Sequence, residues 1–209
     1  MTMTATLTQS QRLRRRLDLV LPSLASATMD LLDHPSFREL YLDYVFAQHA
    51  IVRASVRLME TALGSAREIE SADALAAALV PYFVQHIKEE MHHDEWLLQD
   101  LELIGVNPAR VLARPVSATI AGLVGAPRRP PRLPAGHRGN PPTPDLVERL
   151  VEQTGHPRHP RQAFRFLEKH AQLDPHHRDD LHALVDGLPL NTRDLALIGT
   201  SAPCTRCTG

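Results

Sequence analysis

The chain has 209 residues, 43% of them apolar and 4% aromatic, which is enough to fill the core of one moderate domain. Its 23 Lys and Arg nearly balance its 24 Asp and Glu, for a formal net charge of -1, so no overall charge drives it towards nucleic acid or a membrane surface. Both cysteines, Cys204 and Cys207, lie in the last six residues, which argues against a disulfide framework and for a reducing cytoplasm. Alternating β-branched runs are few and the dominant period is helical, so the pattern predicts an all-α fold. Leu13, Leu17, Val20, Leu21 and Leu24 outline a first helix. Ser36 and Glu39 predict a capping box that opens a second, running to about Leu63 with Gly64 as its stop. A third begins near Ser71, carries Leu75, Leu79, Phe83, Ile87 and Met91, ends at Gly105, and is expected to kink or divide at Pro81. Asn107-Pro108 opens a fourth, reaching Gly125.

The run from Pro127 to Pro134 then stops any helix, and 127–143 reads as an irregular Pro/Arg-rich loop. Thr143-Pro144 supplies a cap with proline at the first helical position, and a fifth helix continues to Gly155. A loop from His156 to Pro160 precedes a sixth, and a short helix from Thr192 to Ile198 leads into a tail at 201–209. We read 1–200 as a single helical domain without internal repeats. The N-terminus lacks the long apolar core of a signal peptide, and the longest apolar run, Ala74 to Val84, is too short to span a bilayer. A soluble cytoplasmic protein is expected, with no nucleic-acid or membrane partner. Arg14-Arg15-Arg16 and Arg128-Arg129 read as a solvated helix face and a loop. The C-x-x-C of the tail reads as frayed chain, since neither a helix N-terminus nor a second ligand pair accompanies it.

Two histidine-carboxylate stripes carry the chemistry. In Glu89-Glu90-Met91-His92-His93, Glu90 and His93 are three residues apart. In His170-Ala-Gln-Leu-Asp174-Pro175-His176-His177, His170, Asp174 and His177 step by four and then three, so on helices each set shares one face. Glu90, His93, His170, Asp174 and His177 are therefore the candidate metal ligands. This mixed nitrogen and oxygen set suits iron or manganese better than zinc, whose structural sites prefer cysteine, or calcium, which takes oxygen only. His92, His176, Asp179, Asp180 and His182 read as solvated face. Glu89 competes with Glu90, and His86, seven residues before His93, reads as a partner behind the ligands rather than one of them. Pro175 removes a backbone donor between Asp174 and His177 and is expected to disturb that helix. His49, Arg53 and Arg57 form a polar stripe that could bind a substrate carboxylate, and Trp96 and Tyr82 read as core or pocket lining.

His86-Ile-Lys-Glu-Glu90-Met-His-His93-Asp94-Glu-Trp96 and Phe166-Leu-Glu-Lys-His170-Ala-Gln-Leu-Asp174-Pro-His-His177 resemble the first and third ligand helices of the haem-oxygenase-like diiron oxidases and oxygenases, often labelled iron-containing redox enzymes. The likeness covers roughly 35–125 and 139–190. It implies a seven-helix, haem-oxygenase-like bundle with iron, one or two ferrous ions, between its central helices. It also implies oxygen activation, in which reduced iron binds O2 and a C–H bond or amine nitrogen of a small substrate (amine, amino acid or fatty acid) is oxidised.

The same family pattern has a middle ligand helix with a glutamate just ahead of a Gly-x-Pro-Pro turn. Here Gly139-Asn140-Pro141-Pro142 matches the turn, but Arg138 precedes it and a Pro/Arg-rich stretch replaces the helix. The hypothesis is a local reading-frame change or deletion; a nucleotide sequence whose other frames encode no apolar helix with a glutamate would sink it. One bridging carboxylate would then be lost, which weakens the second ion most. The remaining set could hold one iron through His170, His177 and a carboxylate, with His137 as a substitute ligand. The rival function is a non-catalytic helical protein that binds a ligand or partner around a degenerate metal site. The missing helix would bare apolar surface, predicting low stability or pairing with a second chain, a homodimer in the simplest case. Iron storage of the ferritin kind is disfavoured, since no Glu-x-x-His occurs outside the first stripe.

Overall fold

The computed structural model describes residues 7–19, 21–118, 120–121, 142–154, 161–192 and 194. Among the described residues the chain is all-α, with no strand. Eight helices are bounded within the described residues, in order: α1 (Gln9–Leu17), α2 (Leu21–Leu32), α3 (Phe37–Ile69), α4 (Ala74–Glu90), α5 (His93–Leu103), α6 (Pro108–Ala113), α7 (Pro144–Thr154) and α8 (Arg165–Gly187), the last entered through a 3-10 turn at Gln162–Phe164. No described helix is long and apolar enough to cross a membrane. The Pro/Arg-rich run 127–138, His137, the Gly139 turn, the loop His156 to Pro160 and both cysteines lie outside the described residues, as does most of the last helix signal.

Local chemistry sets several boundaries where the sequence places them. Thr143 Oγ1 accepts from the amide of Leu146 at 3.2 Å, so α7 starts at its proline. Asn107 caps α6 by accepting from the Ala109 amide at 2.8 Å. Three boundaries and one cap differ from expectation. The first pattern folds as two helices: Thr8 and Gln11 form a capping box on α1, and the chain turns at Asp18 and Leu19 before α2. Ser36 makes no side-chain cap; its own amide donates to His34 Nδ1 at 3.0 Å instead. Helix α3 passes through Gly64 and ends at Ile69, with Met59 before the glycine and Ala66 beyond it both buried. Helix α6 stops at Ala113, since Arg114 precedes Pro115 and takes the extended conformation that a following proline favours.

Prolines 81 and 175 both sit inside helices that continue past them. The break expected at Pro81 falls instead at Met91-His92. Met91 is extended, and His92 is left-handed, with φ of 68°. Two apolar clusters result. The first joins Phe37, Tyr41, Val45, Leu97, Leu101 and Phe164, and the second joins Met59, Leu79, Phe83, Ile87 and Val185. Helix α3 supplies both. His93 on α5 and His170 and His177 on α8 fall between the residues of one cluster and those of the other, and His86 stands one residue before Ile87 at the edge of the second cluster. A polar seam thus crosses the bundle between two apolar cores.

Candidate metal centre

The end of α4 carries His86, Glu89 and Glu90, α5 opens with His93, and α8 carries His170, Asp174 and His177. Helix α8 runs against the α4–α5 pair, so His86 meets His177 and His93 meets His170. The first pair has ring centroids 4.9 Å apart at 84°, and the second has them 5.0 Å apart at 81°. Glu90 lies between the pairs and divides its two oxygens. Its Oε1 is 3.6 Å from His86 Nε2 and 3.4 Å from His177 Nδ1, while its Oε2 is 3.1 Å from His93 Nδ1. Two groups with ligand atoms all within 4.8 Å of one another follow: His86, Glu90, His177 and Glu90, His93, His170. One carboxylate belongs to both, which is the arrangement a carboxylate needs to bridge two ions.

Burial separates these side chains from a solvated polar face. His86, His93 and His177 are 6%, 3% and 6% exposed, whereas the side chain of His92 is 65% exposed and pairs only with Glu95. His176, Asp179 and Asp180 are exposed and His182 is half-buried. Imidazoles gathered in an apolar interior carry a desolvation cost that hydrogen bonds or a metal must offset. The hydrogen bonds present also aim the rings. The Phe166 carbonyl can only accept, so His170 Nδ1, 2.8 Å away, carries the proton and Nε2 keeps the free lone pair. On the other side, Glu89 Oε2 is 3.3 Å from His86 Nδ1 and 3.6 Å from His177 Nε2. The carboxylate can only accept, so His86 donates through Nδ1 and turns Nε2 towards Glu90, and His177 lies between the two carboxylates, with Nδ1 towards Glu90. Gln85 fixes Glu89 in turn, donating to its Oε1 at 2.6 Å.

The charges agree with this placement. Burial alone would raise the Glu90 carboxyl, but the His93 hydrogen bond and the nearby His93, His86 and His170 outweigh it and hold the group at about 2. Glu89 is also lowered: burial opposes, and Gln85, His86 and His177 prevail. For His170, burial lowers the pKa against the pull of the Phe166 carbonyl, Asp174 and Glu90, which favours the neutral ring that a metal needs.

Of the sequence candidates, Glu90, His93, His170 and His177 come together. Asp174 sits at the edge, 4.0 Å from His177 Nδ1 with its side chain 27% exposed, and enters neither three-residue group. His86, expected to stand behind the ligands, is a full member of the first group. Its signal was in the spacing: His86-x-x-x-Glu90-x-x-His93 repeats His170-x-x-x-Asp174-x-x-His177, and the antiparallel helices turn that repeat into a near two-fold arrangement of rings. Glu90 and His93 also do not share a continuous helix, because the left-handed His92 separates them. Aromatic side chains brace both halves. Tyr82 stacks on His86 with centroids 5.3 Å apart, and Trp96 stacks on His93 at 4.1 Å. His49 is buried on α3, where burial lowers its pKa while Asp94 and Arg53 act in opposite directions. No family model matches the chain, and comparison with curated proteins and with solved structures gives no match either.

Proposed function

We propose that the protein is a non-haem iron oxidase or oxygenase that uses O2 to oxidise a small amine, amino acid or fatty acid, on a haem-oxygenase-like helical scaffold. The observation that carries this is Glu90, half-buried between two histidine pairs with one oxygen towards each. Imidazole and carboxylate without cysteine is a donor set suited to ferrous iron. Glu89 and Asp174 lie 3.6 and 4.0 Å from His177, so with Glu90 three carboxylates surround the four imidazoles. Three negative charges against the four of two ferrous ions soften the loss expected from the missing middle glutamate.

In this reading His86 and His177 would hold one ion and His93 and His170 the other, with Glu90 available to both. Bound iron would supply the capacity to reduce O2. The chain's own part is to aim the rings through Glu89 and the Phe166 carbonyl, and to exclude water with the apolar clusters on either side. The test is anaerobic reconstitution with ferrous iron, measurement of iron per chain, and then admission of oxygen with a coupled oxygen electrode. About two irons per chain and oxygen uptake that depends on Glu90 support the proposal. Iron held without oxygen uptake refutes the oxidase and leaves a metal-binding helical protein; no iron held refutes both.

A further inference from the structure

The two halves of the centre are oriented by different means. Glu89 serves His86 and His177 directly, but His170 leans on a backbone carbonyl, and a carbonyl is only as fixed as the helix turn that carries it. That turn is the first of α8, whose N-cap, Phe164, offers no side-chain hydrogen bond to the orphan amides. The missing acceptor comes from another helix. Asp100 on α5, 5% exposed, accepts from the Phe166 amide at 2.9 Å through Oδ2. Asp100 stands two turns beyond His93 on α5, and His170 stands one turn beyond Phe166 on α8, so a single carboxylate ties together the helices that bear the two rings.

Resting on the iron-centre reading above, we propose that Asp100 is a positioning residue for the second half of the centre: by capping α8 from α5 it fixes the Phe166 turn that orients His170 against His93 and Glu90. Asp100 is an expensive choice for packing alone. It lines a narrow cavity with Tyr41, Tyr44 and Gln48, its Oδ1 has no hydrogen-bond partner among the described residues, and a leucine there would bury no orphan oxygen. The capped amide is what the carboxylate provides and an apolar residue cannot.

The experiment is a titration of the full-length apo-protein with Co2+, following the visible d–d absorption, on the wild type and on four variants. His86→Ala and His170→Ala mark the loss of the first and second half-site. Asp100→Leu removes the acceptor, and Asp100→Asn keeps an acceptor oxygen at the same place. The expected result is that Asp100→Leu reproduces the His170→Ala spectrum and stoichiometry, with the second ion about 10- to 100-fold weaker, while Asp100→Asn still takes two ions. Should Asp100→Leu lose wild-type helical circular dichroism, Asp100→Ala replaces it and is held to the same outcome. Two tightly bound ions in the acceptor-free variant, or equal weakening of both half-sites, overturns the proposal, since a general packing role would not choose between halves. A wild type that takes no Co2+ instead refutes the metal centre itself, and is read before any variant.

Discussion

Replacing Asp100 by asparagine should change how stability depends on pH. Burial raises this carboxyl from 3.8 to about 6, against the lowering effect of the Phe166 and Arg165 amides and the Arg165 charge. A raised acid is one whose charged form the fold disfavours. Its stabilising contribution is therefore complete below the unfolded value and is lost as pH rises through about 6. The shift corresponds to about 3 kcal/mol, a sizeable part of the roughly 5–15 kcal/mol that holds a domain together. Asparagine retains an acceptor for the Phe166 amide and never ionises. The measurement is urea unfolding of both proteins, followed by circular dichroism, from about pH 4 to about pH 7. Between these limits the stability difference should move by about 2.5 kcal/mol in favour of Asp100→Asn as pH rises, because all other titrating groups cancel in the comparison. A difference that stays constant over the range would refute the argument, for it would mean that Asp100 titrates alike in the folded and unfolded chain.

Gly64 lies within α3, is exposed, and a Cβ built there meets nothing within 4 Å, so Gly64→Ala should stabilise by about 0.5–1 kcal/mol, read from the urea midpoint. His92 holds φ of 68° on an exposed turn, so His92→Gly should leave stability unchanged or raise it by up to about 1 kcal/mol, whereas His92→Val should lower it by about 1–2 kcal/mol. Thermal melts of the two variants that fall in the opposite order would contradict the left-handed assignment. Trp96 is the single tryptophan and stacks on His93 at 4.1 Å, so Co2+ binding should quench its emission in the wild type but not in His93→Ala. Emission indifferent to bound Co2+ would separate Trp96 from the metal.

Much was legible in the residues. A helical period with few alternating runs identifies the all-α class, Thr143-Pro144 and Asn107-Pro108 open helices where their side chains can cap, and the stripes single out four of the five side chains in the two metal-competent groups. Caps and periods are properties of a few neighbouring residues, so the chain states them locally. The Met91-His92 break carries neither glycine nor proline, and no local rule announces it. What accompanies it is tertiary: His93 is buried against Glu90 and Trp96 at the start of a helix that faces α8. The passage of α3 through Gly64 has the same origin, in packing rather than propensity.

The sequence by itself singled out two stripes of metal-ligand side chains at helical spacings. Only the tertiary structure decided how they combine. Whether His86 joins the set, whether Glu90 or Glu89 stands at the shared position, and whether Asp174 lies within reach depend on how α8 runs against α4 and α5. Helix spacing fixes which residues share a face, but which faces meet, and at what distance, follows from burying two apolar clusters on either side of the polar seam.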